Sequence, residues 1–195
     1  AMHFPIMVRP PKANREWITR LLDIGVWNIH CPQVESAAHA REIVSAARYA
    51  PLGKRGNQTF GPAMDYRSHD VTAWRKFANE QVLLTAMFET GAVFDELDEI
   101  AAMPGIDLLT VGPGDLAQDL GITGTPDQAK IIAEKERQVA DAARKHGKAL
   151  SIFVADVERG RAWRMAGAHL IAYSNEMRIL QDGLRGIADG IRAEA

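Results

Sequence analysis

Four glycines mark a repeat along the chain, because each one follows a stretch of helical period and precedes a short apolar run. They are Gly25, Gly105, Gly147 and Gly167. Glycine is favoured at this place, since a helix commonly ends on a residue with left-handed backbone angles. We therefore expect helices that alternate with buried parallel strands. The six predicted strands are Phe4–Arg9, Val26–Cys31, Val82–Glu89, Ile106–Gly112, Ala149–Ala155 and His169–Tyr173.

The length of the chain bears on how many such βα units the complete fold has. A (β/α)8 barrel of about 250 residues uses about 31 residues per unit, so six units need about 190. The chain has 195 residues. We therefore predict an α/β fold, a TIM (β/α)8 barrel forming a single domain over residues 1–195, with the first two units outside this sequence. An open, doubly wound sheet of six strands, complete as it stands, is the alternative.

The helical periodicity between the strands predicts seven helices. They are Asn14–Asp23, Ser36–Arg48, Val71–Gln81, Ala92–Met103, Asp127–His146, Val157–Ala166 and Met177–Ala195.

Composition and charge exclude several classes of protein. Apolar residues make up 47% of the chain and charged residues 25%, which is typical of a globular domain rather than of a disordered chain. No apolar stretch approaches the roughly 20 residues that a membrane-spanning helix needs. With 23 basic and 25 acidic residues, the net charge of -2 offers no basic surface for nucleic acid. The single cysteine, Cys31, cannot form a disulfide within the chain, and we expect a cytoplasmic protein.

Charged side chains stand at or just after the ends of three predicted strands, where parallel α/β folds bind their ligands. Arg9 ends the first strand, Glu89 ends the third, and Asp115 follows the fourth. Two carboxylates close together repel each other unless a cation lies between them, and oxygen ligands of this kind favour a divalent ion such as Mg²⁺ or Mn²⁺. The alternative is structural: Arg9 and Glu89 form a salt bridge, and Asp115 caps a helix that begins at Leu116.

The turn that contains Asp115 is a second candidate for binding. The run Gly112-Pro113-Gly114-Asp115-Leu116 combines glycines with the start of a helix. Backbone N–H groups exposed at such a helix start can hold an anion such as a carboxylate.

His30 and Cys31 are adjacent residues at the end of the second predicted strand. They do not predict a nucleophilic site, because adjacent residues of a strand point to opposite faces.

Several short motifs follow one another along nearly the whole chain. They are Val8-Arg9-Pro10, Leu22-Asp23-Ile24-Gly25, Pro32-Gln33-Val34, Arg48-Tyr49-Ala50-Pro51-Leu52-Gly53-Lys54-Arg55-Gly56, Glu89-Thr90, Leu97-Asp98-Glu99-Ile100, Pro104-Gly105-Ile106-Asp107, Gly112-Pro113-Gly114-Asp115-Leu116 and Leu120-Gly121. In this order they resemble the HpcH/HpaI family of class II pyruvate aldolases, which includes the 4-hydroxy-2-oxoheptanedioate and 2-dehydro-3-deoxyglucarate aldolases. The resemblance implies a metal-dependent TIM barrel, and it begins at the family's third strand.

The resemblance also implies roles for individual residues. Glu89 and Asp115 would hold the divalent metal ion, Mg²⁺, Mn²⁺ or Co²⁺. Arg9 would be the catalytic residue that contacts the keto oxygen of the substrate. The amides of Gly114, Asp115 and Leu116 would bind the carboxylate of pyruvate. The histidine that assists proton transfer in the family lies on its second strand, outside this sequence.

Two positions differ from the family's common pattern. Met87 stands where many members carry glutamine, two residues before the metal-binding glutamate. Ser174-Asn175-Glu176 stands where Gly-Ser-Asp is common. We therefore expect the substrate preference to differ from that of the members that keep the common pattern.

As a function, the resemblance implies reversible, metal-dependent cleavage of a 4-hydroxy-2-oxo acid to pyruvate and an aldehyde. It also implies a homo-oligomer, either a hexamer or a trimer of dimers. A citryl- or malyl-CoA lyase is the nearest alternative among enzymes, but its nucleotide-bearing substrate would need a basic patch. A non-catalytic barrel that binds a keto acid is the alternative from another class. No lysine lies at the end of a predicted strand, so a Schiff base is not expected.

Overall fold

Strands and helices alternate along the residues that this computed structural model describes, 4–58 and 60–193. The strands are β1 (Met7–Val8), β2 (Asn28–Cys31), β3 (Leu83–Phe88), β4 (Leu108–Val111), β5 (Ala149–Val154) and β6 (Leu170–Tyr173). The helices are α1 (Arg15–Asp23), α2 (Ala37–Ala47), α3 (Val71–Gln81), α4 (Leu97–Ala102), α5 (Pro113–Asp119), α6 (Gln128–Lys145), α7 (Val157–Met165) and α8 (Glu176–Arg192). Every predicted strand is present and shorter than predicted. The predicted end of the last helix, at Ala195, lies outside the described residues.

The strands form one sheet in chain order, β1-β2-β3-β4-β5-β6. The first four neighbouring pairs are parallel, with Val8 opposite Ile29 and Ile29 opposite Leu84. A doubly wound sheet reverses its strand order at a switch point, whereas the strands of a TIM barrel follow one another around the sheet. The predicted α/β fold with a parallel sheet is therefore confirmed, and its strand order is that of part of a TIM-like barrel.

Local chemistry explains the bounds of most helices. The side chains of Asn14, Ser36 and Asp70 each accept the N–H of the residue three positions on, and so cap α1, α2 and α3. The four glycines predicted to end helices all adopt positive φ: 93° at Gly25, 94° at Gly105, 63° at Gly147 and 96° at Gly167. The predicted boundaries between helix and strand are confirmed at these four glycines.

The first strand is much shorter than its apolar sequence predicts. Phe4 and Ile6 are 77% and 52% exposed, and only Met7 and Val8 pair with β2. The side-chain amide of Asn28 donates to the carbonyl of Ile6 at 3.0 Å, in place of a ladder hydrogen bond. Because Asn28 is the first residue of β2, the pairing of the described residues with that strand begins at Met7.

Two helical segments also differ from prediction. The segment predicted as one helix over Ala92–Met103 is a 3-10 helix at Ala92–Glu96 followed by α4. At the junction between these two segments, the carboxylate of Glu96 accepts a hydrogen bond from the N–H of Ala37, at the start of α2, at 2.7 Å. The predicted helices do not include α5; a helix beginning at Leu116 is considered only as the alternative role of Asp115, and the helix begins three residues earlier, at Pro113.

A buried arginine joins the amino-terminal ends of β3 and β4. Arg48 is 2% exposed, and its guanidinium donates to the carbonyls of Asn79, Val82 and Gly105 at 2.6 to 2.8 Å. It also forms an ion pair with Asp107. The three carbonyls gain a donor from Arg48, and Asp107 also accepts the N–H of Leu84 at 2.7 Å, so Arg48 and Asp107 hold this end of the sheet together.

The chain divides into two compact units, one through Ser151 and one from Ile152. The second unit ends in α8, whose apolar side chains at Leu180, Leu184 and Ile187 are 57%, 57% and 63% exposed. The predicted last helix is confirmed through Arg192. None of the helices described is long and apolar enough to cross a bilayer.

Candidate active site

The residues that follow β1, β2, β3 and β4 line one cavity at the carboxyl ends of these strands. Its volume is about 240 Å³, and it is lined by Arg9, Pro10, Pro11, Pro32, Gln33, Glu89 and Asp115. Arg9 and the two carboxylates stand 26 to 106 positions apart in the sequence, and the parallel sheet brings them together. The cavity therefore contains one cation and two carboxylates, as the positions after the strands indicated.

Glu89 is the most buried charged group of this cavity, with 3% of its surface exposed. Its Oε2 accepts the backbone N–H of Gln33 at 2.7 Å, whereas its Oε1 has no hydrogen-bond partner among the described residues. Burial raises the pKa of Glu89, and the nearby Asp115 raises it further, against the hydrogen bond from Gln33 and the charge of Arg9. Ionised Glu89 therefore leaves one buried oxygen in need of a partner.

Gln33 has a role that the sequence did not reveal. It has a positive φ of 50°, which is uncommon for a residue other than glycine. This conformation follows Pro32 directly and aims the N–H of Gln33 at Glu89. The next residue, Val34, donates its own N–H to the carbonyl of Met87 at 3.1 Å. The signal available from the sequence was the position of Gln33, a polar residue just after β2.

Asp115 lies inside α5, in its first turn, and not before it. The helix begins at Pro113 with Gly112 as its N-cap residue, so the alternative in which Asp115 caps a helix from Leu116 is wrong. The N–H of Leu116 donates to the carbonyl of Gly112 at 3.0 Å and is already used within the helix. The first N–H groups of a helix have no partner within it, which leaves those of Gly114 and Asp115 for an anion.

Arg9 is exposed and lines the cavity without a direct bond to Glu89. Within the described part of the chain, no ion pair of 4.0 Å or less joins the two residues. Its charge nevertheless lowers the pKa of Glu89. The alternative in which Arg9 and Glu89 form a structural salt bridge is therefore not found.

His30 and Cys31 point to opposite faces of β2, as the alternation of a strand requires. His30 lies between two sulfurs, with Nδ1 3.4 Å from Sδ of Met7 and Nε2 3.1 Å from Sδ of Met87. Burial, with a smaller contribution from Arg9, lowers the pKa of His30 to about 4. Cys31 is fully buried, and burial raises the pKa of its thiol to about 12. A protonated thiol without access to solvent is not a nucleophile, so this pair is not a catalytic one.

The donor set of the cavity fits a divalent cation. The unpartnered Oε1 of Glu89 and the carboxylate of Asp115 are hard oxygen donors, and a cation between them removes their mutual repulsion. Nowhere in residues 4–58 and 60–193 do three or more histidine, cysteine or acidic side chains cluster as a metal site. An ion held by these two carboxylates therefore keeps open positions that water or a substrate can fill.

Comparison with known proteins identifies the family. The pattern of the family described as HpcH/HpaI aldolase/citrate lyase matches residues 1–182. The chain is 36% identical over 185 residues to a hydroxypyruvate/pyruvate aldolase of Roseovarius nubinhibens, a match covering 94% of this chain and 70% of that protein. It is 30% identical over 191 residues to a 4-hydroxy-2-oxo-heptane-1,7-dioate aldolase of Escherichia coli, covering 97% and 71% of the two chains.

A solved structure agrees with these sequence matches. The crystal structure of an HpcH/HpaI aldolase from Desulfitobacterium hafniense superposes with a TM-score of 0.86 and 30% identity, covering 95% of this chain and 71% of that one. The chain thus spans about 70% of the length of these relatives. The family predicted from the motifs is confirmed, as is the prediction of an aldolase-type carbon–carbon lyase: the chain belongs to the HpcH/HpaI aldolase/citrate lyase family.

Proposed function

We propose that the protein reversibly cleaves a 4-hydroxy-2-oxo acid into pyruvate and an aldehyde, with a divalent ion held by Glu89 and Asp115. The observation that carries this proposal is the shared cavity, which Glu89, Asp115 and Arg9 line together, with Oε1 of Glu89 unpartnered among the described residues. The aldolases with which the chain shares 30% to 36% identity support the reaction class and the oxo-acid substrate.

When bound, Mg²⁺, Mn²⁺ or Co²⁺ supplies a Lewis acid that polarises the 2-oxo group of the substrate. The chain's own residues orient the substrate around that group. The free amides of Gly114 and Asp115 bind its carboxylate at the start of α5. Arg9 places a fixed positive charge near the keto oxygen, where negative charge develops as the C3–C4 bond breaks and the pyruvate enolate forms.

The proton of the 4-hydroxyl group leaves as the aldehyde forms, and the enolate gains a proton at C3 to give pyruvate. His30 is not assigned to either transfer, because its two ring nitrogens face sulfur atoms and its pKa is lowered to about 4. A lysine Schiff base is not part of the proposal. Lys148, whose pKa burial lowers, precedes β5 and donates to the carbonyls of Met103 and Ile106, at the opposite ends of the strands.

The finer description of the fold and assembly is also a proposal. We propose that the six βα units belong to an eight-unit TIM barrel, which the uninterrupted strand order and the match to about 70% of each relative support. A single domain, a hexamer or trimer of dimers, and a cytoplasmic location stay predictions.

A coupled assay of pyruvate release tests this function. The purified full-length protein is incubated with 4-hydroxy-2-oxo acids and Mg²⁺ or Mn²⁺, and pyruvate is measured with lactate dehydrogenase. Metal-dependent release from at least one such acid is the expected result. Cleavage of citryl-CoA or malyl-CoA without cleavage of the oxo acids would assign the protein to the lyase branch instead. Binding of pyruvate without turnover of either class would indicate a non-catalytic barrel.

A further inference from the structure

Gly112, the residue directly after β4, lies against the side chain of Glu89. Phe88 pairs with Val111 in the ladder between β3 and β4, and continuing that register places Glu89 opposite Gly112. A β-carbon built on Gly112 would lie 2.5 Å from Cγ of Glu89 and 2.7 Å from its Oε1. It would also lie 2.6 Å from Cε of Met87. Carbon atoms do not approach this closely, so any larger residue here displaces its neighbours.

The backbone of Gly112 does not itself require glycine. Its φ of -92° and ψ of 91° are extended values that any residue adopts. Its N–H donates to the carbonyl of Phe88, and its carbonyl accepts from Leu116, as a residue of another type would also do. The need for glycine at this position therefore comes from the space that Glu89 and Met87 occupy.

Glu89 is then held from two sides. The N–H of Gln33 fixes Oε2 at 2.7 Å, and the open space over Gly112 receives Cγ and Oε1. Oε1 is the oxygen without a hydrogen-bond partner in the described chain. Displacing Cγ while Oε2 remains bonded to Gln33 would turn Oε1 away from its present position.

We propose that Gly112 is a positioning residue for Glu89, because its lack of a side chain leaves the space in which the glutamate carboxylate lies. The contact between the two residues stands on the geometry alone. Its consequence for metal binding rests on the proposed function. The Gly-Pro-Gly-Asp turn then has two roles. Its first glycine, Gly112, leaves space for the side chain of Glu89 at the end of β3, and the residues after it form the anion site.

A double-mutant cycle on the full-length protein tests the proposal. The four proteins are the parent, Gly112→Ala, Glu89→Ala, and the protein with both changes. Glu89→Ala removes Cγ and Oε1 and so removes the contact with a β-carbon at position 112. Gly56→Ala is the matched control, since a β-carbon there meets nothing within 4 Å. Each protein is measured for Mn²⁺ affinity without substrate, and for its urea unfolding midpoint without metal.

We expect Gly112→Ala to weaken Mn²⁺ binding at least about tenfold in the parent, as the loss of a group that orients a metal ligand does. Gly56→Ala should leave affinity within about twofold of the parent. Gly112→Ala should also lower the metal-free unfolding midpoint of the parent by more than that of the Glu89→Ala protein. An unchanged affinity in Gly112→Ala overturns the proposal. An equal fall of the midpoint in both backgrounds also overturns it, because Gly112 would then act independently of Glu89.

If no Mn²⁺ binding can be measured, the unfolding midpoints in urea test the contact between Gly112 and Glu89. If the parent binds no Mn²⁺, the proposed function fails, and the contact is judged by the metal-free midpoints alone. A midpoint lowered by Gly112→Ala only when Glu89 is intact supports the positioning role. If Gly112→Ala prevents folding in both backgrounds, or lowers both midpoints equally, the proposal is overturned.

Discussion

Gln33 donates its backbone N–H to Oε2 of Glu89 at 2.7 Å, so the loop after β2 holds an acidic side chain from the end of β3. This bond uses one oxygen of Glu89 and leaves the other, Oε1, without a partner in the described residues, while Glu89 lines a cavity together with Arg9 and Asp115. A residue with positive φ that bonds a buried carboxylate is a typical feature of a functional site, where strained backbone is held by its surroundings. The predictions below depend on this arrangement.

Replacing Arg9 by alanine should lower kcat for oxo-acid cleavage roughly a hundredfold. A fixed charge near a developing oxyanion contributes about 3 to 4 kcal/mol to the transition state, and Arg9 is the cation that lines the cavity. The coupled pyruvate assay measures the effect. Arg20→Ala is the control, because Arg20 pairs with Glu16 on the exposed face of α1. A kcat within about threefold of the parent in Arg9→Ala would contradict the assigned role.

Removing divalent metal should abolish activity, and adding Mg²⁺, Mn²⁺ or Co²⁺ should restore it. Two carboxylates in one cavity repel each other without a cation, and they are the donors that such ions prefer. The test is pyruvate release after dialysis against EDTA and after each metal is added back. Full activity in excess EDTA, or trapping of a substrate imine by borohydride, would instead indicate a lysine mechanism.

Replacing Glu89 by glutamine should stabilise the metal-free protein at pH 8 by about 1 kcal/mol, the lower range of the cost of a buried polar group without a partner. Burial raises the pKa of Glu89 in the folded protein. The folded state therefore binds this proton more tightly than the unfolded chain, and the parent loses stability as pH rises through the folded pKa. The advantage of the glutamine variant should disappear below the pKa of the unfolded chain, about 4.3.

Urea unfolding of both proteins between pH 4 and pH 8, in EDTA, measures this difference. Glu80→Gln is the matched control, because Glu80 is exposed at the end of α3 and its replacement should change stability by less than about 0.5 kcal/mol. A glutamine variant that is less stable than the parent at pH 8, or a difference that grows on acidification, would be the opposite of what the burial of Glu89 implies.

The sequence was informative about the fold wherever local chemistry decides it. The glycine stops and the side-chain caps at Asn14, Ser36 and Asp70 agree with the predicted ends of helices. The length of β1 depends instead on where β2 begins, and the break at Glu96 depends on a distant N–H at Ala37. Such tertiary contacts leave no periodic signal in the sequence.

The charged residues of the candidate site could be predicted from the sequence, whereas the contacts that hold Glu89 in place could not. Arg9, Glu89 and Asp115 stand where strands end, which a sequence can show. The contribution of Gln33 is made by a backbone N–H, which every residue except proline carries, so its identity gives no signal. The space over Gly112 is filled by a side chain 23 positions earlier, and only the register of β3 and β4 places the two together.

Replacing Arg48 by methionine should destabilise the protein by about 3 kcal/mol or more, because it removes the ion pair with Asp107 and leaves three carbonyls without this donor. Arg41→Met is the control, since Arg41 pairs with Glu99 on the exposed surface, where such pairs contribute at most about 1 kcal/mol. Urea unfolding of both variants gives the comparison. Equal losses in the two variants would show that the buried network contributes no more than a surface ion pair.

The most direct test of the proposed site is an anomalous difference map from crystals of the full-length protein grown with Mn²⁺ and pyruvate. The account predicts one strong manganese peak within coordination distance of both Glu89 and Asp115, with the carboxylate of pyruvate at the N–H groups of Gly114 and Asp115. A peak bound elsewhere in the protein, or pyruvate bound with no manganese between these two carboxylates, would contradict it.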